Sequence, residues 1–367
     1  MNKIIKKVIK SSFLYKPIKK IYLVVSNISM RRNIKKFFSG KKNILPSGIA
    51  FEPTTKCNLN CRMCYQKQER ALCNQDIKLE DVKKSFLPLK GRIKSIGLIG
   101  AEVFMRRDIF EMIHYFNTLN MSVYLATNGT LINDENIEEL KNCKNVTGIG
   151  YSLDGPRDYH NFIRGQSYAY DKLLKAIELT RNNFNTTVNS VIMDDNINYL
   201  FEVANIVKDQ GVKNYSLQFE MFSTKAELEE SARILGIDEK DFAVELKESC
   251  TYKFDKGQLF KILNELKKIS GLNILIQPNI FNIYPDEYLN GSLREKVKLY
   301  CKDMNTLRLN AQGSVILCPF IKREFGNILE QDVSEIWNSE EFINIKKKII
   351  SNNLLPICKR CCRLGKM

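Results

Sequence analysis

Residues 57–65, Cys-Asn-Leu-Asn-Cys-Arg-Met-Cys-Tyr, place three cysteines within eight positions in a CxxxCxxC pattern. The stretch IAFEPTT (49–55) runs directly into them and reads as a β-strand. Three thiolates this close can bind three irons of a [4Fe–4S] cluster, whose usual complement is four cysteines, so one iron stays open. The competing reading is a zinc ribbon with Cys73 as fourth ligand, although zinc sites usually combine two CxxC-like pairs. In a parallel α/β fold, a loop that follows the first strand lies at the carboxyl edge of the sheet, where sites are built.

The pattern around the loop supports such a fold. Further strands are predicted over 95–100, 121–127, 146–153, 186–193 and 214–219. Amphipathic stretches at 78–89, 107–119, 133–142, 168–183 and 197–210 alternate with them as helices. Six strand–helix alternations predict an α/β protein with a parallel sheet, a partial (βα)6 TIM-like barrel or an open sheet. Residues 223–270 read as helical and highly charged, with one more strand at 272–278. The region 301–367 is short-segmented, turn-rich and cysteine-bearing, as a small metal-stapled domain would be. The expected boundaries are a basic segment (1–46), the core (47–222), a helical connector (223–298) and a cysteine-rich C-terminal domain (299–367).

Composition narrows the function classes. Of 367 residues, 44% are hydrophobic and 27% charged, which suits a globular protein and not a disordered one. No run approaches the roughly 20 apolar residues needed to span a bilayer. The apolar stretch IYLVV near the N-terminus is too short for a secretory signal, and no A-x-A-like site follows. Eleven cysteines without an export signal point to metal binding or redox work in the cytoplasm, not to disulfides.

The net charge of +16 is concentrated. Residues 1–50 hold thirteen Lys or Arg and no acidic residue. There Ile4, Ile5, Val8 and Ile9 share a helical face opposite lysines, and the pattern recurs around Ile18, Ile21 and Val25 and around Ile34, Phe37 and Phe38. A basic amphipathic segment suits peripheral contact with an anionic membrane. Nucleic acid would attract the same charges but could not bury the apolar face. Packing of these helices on the barrel, with solvated lysines, is the third reading.

The motifs together carry a resemblance. CNLNCRMCY resembles the signature loop of the radical S-adenosylmethionine (SAM) enzymes, and three neighbouring motifs follow in that family's order. Gly100-Ala101-Glu102-Val103 stands where the family has Gly-Gly-Glu-Pro, followed by Thr127-Asn128-Gly129 and by Ser152-Leu153-Asp154-Gly155 with His160 and Arg164-Gly165. The resemblance covers residues 48–367. It implies that Cys57, Cys61 and Cys64 hold a [4Fe–4S] cluster whose open iron is chelated by SAM. It further implies reductive cleavage of SAM, hydrogen-atom abstraction from substrate, and an external one-electron reductant of flavodoxin or ferredoxin type.

On this reading Gly100 and Ala101 lie against the cofactor, and Glu102 accepts from the methionine ammonium. Asn128 touches SAM, Ser152 and Asp154 bond the ribose hydroxyls, and Arg164 meets the methionine carboxylate. Tyr65 and Val191 close on the adenine. Ala101 and Val103 depart from the family pattern, narrowing the room beside the cofactor and removing a rigid turn. Taken alone, Thr-Asn-Gly is also an ordinary turn and Arg164 an ordinary surface charge.

The C-terminal cysteines resemble a SPASM-type auxiliary-cluster domain: Cys301, eleven residues, Gly313, four residues, Cys318, and then Cys358-Lys-Arg-Cys361-Cys362. Gly326-Asn327-Ile328 and Trp337 fit the same habit. The number of cysteines implies one auxiliary [4Fe–4S] cluster on Cys301, Cys318, Cys358 and Cys361, with Cys362 the alternative to Cys361 and a zinc ribbon the alternative to the cluster. Cys143 and Cys250 read as ordinary thiols, Cys250 with a remote radical role. His114 reads as structural and His160 as a loop residue near the ribose motif. The expected function is oxidation or cross-linking of a small molecule, a lipid-linked glycan or a peptide. The alternative is a peptide or protein maturase, and the non-enzyme alternative a zinc-stapled nucleic-acid-binding protein.

Overall fold

β1 (Gly48–Phe51), β2 (Ser95–Leu98), β3 (Ser122–Thr127), β4 (Val146–Ser152), β5 (Thr186–Ile192) and β6 (Asn214–Phe219) lie side by side in chain order, all parallel, in a computed structural model. Residues 45–67 and 75–367 are described. Most of the expected basic segment and Cys73 therefore lie outside the described residues.

Helices Leu79–Phe86, Ile109–Thr118, Ile137–Asn142, Ala169–Thr180 and Leu200–Asp209 make the crossovers. Each buries one apolar stripe: Ile109, Met112, Ile113 and Phe116 recur at helical spacing and are buried together. In β5 the residues Thr186, Val188, Ser190 and Ile192 are buried, while Thr187, Asn189 and Val191 are half-buried. A parallel sheet covered on both faces would be buried at every position. Here the second face is more open and polar, and it is on this face that Ser152 and Val191 project.

The consecutive strand order is that of a partial (βα)6 barrel, and the sheet extends beyond it on both edges. After β6 come β7 (Phe222–Ser223) and β8 (Glu245–Leu246), a small parallel pair, and then β9 (Asn273–Gln277), which adds parallel to β6. β10 (Leu299–Cys301) is followed by β11 (Thr306–Leu309), β12 (Ser314–Cys318) and β13 (Ile321–Asn327). β14 (Leu364–Lys366) returns antiparallel to β10. β11 pairs parallel with β1, and β12 and β13 continue antiparallel from it. The cysteine-rich C-terminal region thus extends the main sheet, and residues 45–366 form one compact unit.

Three features differ from the sequence expectation. Helix Arg157–Arg164 was not anticipated, because RDYHNFIR buries His160, Ile163 and Arg164 and so lacks an apolar stripe. The stretch 223–270, expected to be mostly helical, has two helices, Lys225–Leu235 and Lys256–Leu266, separated by residues 236–255, which include β8. The first starts at a Thr224/Glu227 capping box and stops at Gly236, whose φ is 71°. The turn-rich C-terminal region also holds a twelve-residue helix, Glu340–Ser351. Among the described residues no helix is long and apolar enough to cross a membrane.

Candidate active site

The loop leaving β1 carries Cys57, Cys61 and Cys64. They pack with Leu59, Met63, Tyr168 and Ala169 in a small cluster separate from the main core. The unanticipated helix Arg157–Arg164 docks its C-terminal end against this loop. Asn60 N–H donates to Arg164 O (3.2 Å) and Arg62 N–H to Ile163 O (2.8 Å). Gly165, at φ 71°, follows at once, and a Cβ there would stand 2.7 Å from Asn60 O. Glycine is required at this junction both by its backbone conformation and by the close approach.

Arg164 sits inside that junction. Its Nε and Nη2 lie 2.8 and 2.6 Å from Asp154 Oδ2, and its Nη1 lies 3.6 Å from Cys61 Sγ. Asp154 is fully buried, and its Oδ1 accepts Val191 N–H at 3.1 Å. Asp154, expected at a ribose, and Arg164, expected at a SAM carboxylate, thus form an internal ion pair that reaches the cysteine loop. His160 belongs to the same assembly. Its Nδ1 accepts Asp154 N–H at 3.3 Å, and burial together with the nearby Arg164 charge holds its pKa at about 4. It is thus a neutral structural acceptor near pH 7, not a solvated loop residue. Asn196, not singled out from sequence, donates to both Asp154 O and Val191 O (3.1 and 2.7 Å).

Glu102 gathers the ends of β2 and β3. Its Oε1 accepts Thr127 Oγ1–H (2.7 Å) and Phe104 N–H (3.2 Å), and its Oε2 accepts Asn128 N–H (2.8 Å). Burial pushes its pKa up and these donors partly oppose that. Asn128 turns its Nδ2 to Asn58 Oδ1 (3.0 Å) and lies 4.0 Å from Cys57 Sγ, so it braces the cysteine loop. Ala101, Ser152 and Val191 are half-buried at the strand ends.

Two further positions have close neighbours within the chain. Gly100 (φ 106°) leaves room for a neighbouring side chain, because a Cβ would lie 2.9 Å from Glu52 Cγ. Tyr65 packs on Phe320 of the β12–β13 turn, ring centroids 5.2 Å apart, and remains 37% exposed. It is Met63 that lies among the thiols.

The sequence reading also missed Glu52, Gln66 and Arg308. Glu52 Oε1 lies 3.0 Å from Arg308 Nη1, and Oε2 accepts Gln66 Nε2–H at 2.7 Å; all three residues are buried. Glu52 stands at a strand end beside the cysteine loop, which was the available signal. The partner Arg308, 256 positions away, was not readable.

The C-terminal cysteines come together from three places: Cys301 ends β10, Cys318 ends β12, and Cys358 lies within the turn Pro356–Arg360, which Cys361 follows. Burial pushes up all three of Cys301, Cys318 and Cys358, the last to about 12; the charges of Asp303 and Cys358 add to it at Cys301 and that of Cys318 at Cys358, whereas nearby N–H groups and Arg308 oppose it at Cys318. The hydrogen bond with Cys362, then burial, push Cys361 up, and the same bond pulls Cys362 down. Cys361 also feels Cys301 and Cys358, whereas Cys362 feels Arg363 and Asp303. Phe320 and Ile321 N–H donate toward Cys318, and Arg363 N–H lies 3.4 Å from Cys361 Sγ. Buried thiols that repel one another as thiolates fit a cationic iron–sulfur cluster, which would offset their charge. Among the described residues, no three or more His, Cys, Asp or Glu side chains are arranged to hold a single metal ion.

Arg360, fully buried, anchors the last cysteine turn. Its Nη1 and Nη2 pair with Glu227 (2.9 and 3.2 Å), its Nε donates to Cys250 O (2.9 Å), and it lies 4.7 Å from the Phe222 ring centroid. Cys250 itself is exposed, and Cys143 is buried with its Sγ 3.8 Å from His114 Nε2.

Comparison with known proteins agrees with this layout. Residues 51–225 match the radical SAM superfamily, and residues 301–362 match the SPASM iron–sulfur cluster-binding domain. The AdoMet-dependent heme synthase of Methanosarcina barkeri (strain Fusaro / DSM 804) is 26% identical over 338 residues, 86% of this chain and 90% of that protein. The subtilosin biosynthesis protein AlbA of Bacillus subtilis (strain 168) is 27% identical over 175 residues, 47% of this chain and 39% of its own. Among solved structures, Streptococcus suis SuiB superposes with a TM-score of 0.61 at 17% identity, covering 96% of this chain and 83% of SuiB. That likeness speaks to the fold alone.

Proposed function

The chain belongs to the radical SAM superfamily and carries a SPASM domain, and from that premise we propose that it oxidises or cross-links a substrate bound between its two cysteine sites. The observation that carries this reading is their shared sheet. The loop that leaves β1 bears one site, β12 bears part of the other two strands away, and Tyr65 next to Cys64 packs on Phe320 near Cys318.

Cys57, Cys61 and Cys64 would hold the first cluster with one iron left for SAM, and Cys301, Cys318, Cys358 and Cys361 the second. Cys361 is preferred to Cys362 because it faces Cys301 and Cys358. When bound, these groups supply hydrogen-atom abstraction from carbon and a one-electron acceptor. The protein's own part is placement. Arg164 and Asn128 stand against two of the first thiols, and Glu102 keeps lone pairs beyond its three internal donors for a cationic group. Ser152 and Val191 line the open sheet face. The division into core (47–222), connector (223–298) and auxiliary domain (299–367) belongs to the same proposal.

A small molecule is the first substrate class, because a relative that matches along most of the chain is named a heme synthase. A peptide is the second, because AlbA is named for biosynthesis of the bacteriocin subtilosin. A lipid-linked glycan fits the basic N-terminal segment, which would contact an anionic membrane. Anaerobic reconstitution should give about eight irons per chain, and reduction in the presence of SAM should release 5′-deoxyadenosine. Protein that binds zinc instead and leaves SAM intact would end this reading.

A further inference from the structure

We propose that the buried Glu52–Arg308 pair tunes the reduction potential of the auxiliary cluster and ties that site to the first cysteine loop. This rests on the reading that the C-terminal cysteines hold a cluster. The placement follows from strand register. Arg308 on β11 lies opposite Ala50 on β1 and opposite Ile316 on β12. Side chains alternate with period two along a strand. Glu52, two residues beyond Ala50, and Cys318, two beyond Ile316, therefore project from the same sheet face as Arg308. Arg308 also feels the charges of Cys318 and Asp303, as well as that of Glu52.

Both members of the pair are shielded from water, at 5% and 10% side-chain exposure, so their charges are screened less than surface charges would be. The second oxygen of Glu52 is taken by Gln66, two residues after Cys64. One carboxylate thus touches the first loop and a guanidinium on the sheet face that also carries Cys318. Burial alone would explain neither the polarity of this triad nor its position.

Charge gives the two members opposite effects. A fixed positive charge beside a cluster favours its more negative, reduced form, and a fixed negative charge disfavours it. Arg308→Met should lower the auxiliary midpoint potential and Glu52→Gln should raise it. The double variant should return toward the parent, and Arg308→Lys should stay near it. The measurement is an EPR-monitored potentiometric titration of the full chain in a C57A/C61A/C64A background, where only the auxiliary cluster contributes. Shifts of opposite sign support the proposal. Shifts of the same sign, or none, overturn it while leaving the auxiliary site intact. A parent protein with no auxiliary signal and no bound iron overturns the auxiliary-site reading instead, and this proposal with it. If Arg308→Met fails to fold, the upward shift in Glu52→Gln and the unchanged potential in Arg308→Lys still decide.

Discussion

Arg360→Met tests whether the last cysteine turn is held by one buried ion pair. The guanidinium has no solvent exposure and meets both oxygens of Glu227, whose side chain is 9% exposed. Without it, Glu227 keeps Lys359 at 3.3 Å, the Thr224 N–H and the Ser223 hydroxyl, and the Cys250 carbonyl loses a donor. Breaking a buried pair from one side costs about 3–5 kcal/mol, and the lost carbonyl hydrogen bond adds about 1 kcal/mol. Lys359 should recover part of this, so a net loss of about 3–4 kcal/mol is expected. Methionine retains much of the apolar stem, which confines the change largely to charge. At a slope of about 3 kcal/mol per molar urea, the unfolding midpoint should fall by roughly 1 M, read by circular dichroism under anaerobic conditions.

The double variant Arg360→Met/Glu227→Gln leaves no orphaned charge and should recover most of that loss. The pH dependence gives a second check. Burial would push the Glu227 carboxyl up, but Arg360, the Thr224 N–H and Ser223 hold it below its ordinary value. A carboxyl depressed in the folded state stabilises fully above its unfolded pKa, about 4.3, and loses that contribution as pH falls through the folded value. The gap between wild type and Arg360→Met should therefore close below about pH 4. A single variant within about 1 kcal/mol of wild type, or a double variant less stable than the single, would refute the reasoning.

Glu102→Gln removes the charge but keeps the shape, and SAM affinity by equilibrium dialysis should fall roughly 10–100-fold, the worth of one charged hydrogen bond; unchanged affinity would remove Glu102 from the cofactor site. Cys361→Ser should halve the iron content while Cys362→Ser leaves it unchanged, and the reverse result would exchange the two ligands. Gly165→Ala must place a Cβ against Asn60 O at a positive φ, so it should cost about 1–3 kcal/mol and deplete first-site iron before auxiliary iron, as Mössbauer or EPR quantitation would show.

Much of the fold was legible because its strands are short apolar runs separated by helices with clean apolar stripes. The cysteine spacings were legible for a different reason: thiols at fixed intervals serve little purpose other than ligation. What stayed hidden were the polar contacts that close over long sequence distances. Helix Arg157–Arg164 escaped because its buried face is formed by His160 and Arg164, which hydropathy scores as exposed. Asp154 and Arg164 were both singled out, each for a contact with the cofactor. Nothing local revealed that they are 2.6 Å apart and satisfy each other. Gly100 reads as a place of close approach, and Glu52 is a side chain that approaches it.

β1 explains why those hidden contacts matter. Its end launches the first cysteine loop, and its free edge accepts β11, so the two sites are joined by a backbone ladder and not by a flexible linker. Neighbouring strands stand about 4.8 Å apart, which puts β12 roughly 10 Å across the sheet from β1. Cys318 also lies near the level of the start of β1, while Cys57 lies past its end, which adds about 13 Å or more along the strand at roughly 3.3 Å per residue. A separation set by paired strands changes little when a loop shifts. Side chains that cross the gap, Glu52 and Arg308 on the shared face and Tyr65 against Phe320 between the cysteine loop and the β12–β13 turn, are therefore the ones whose substitution should alter how the two sites act together, whereas changes confined to the outer helices should alter stability alone.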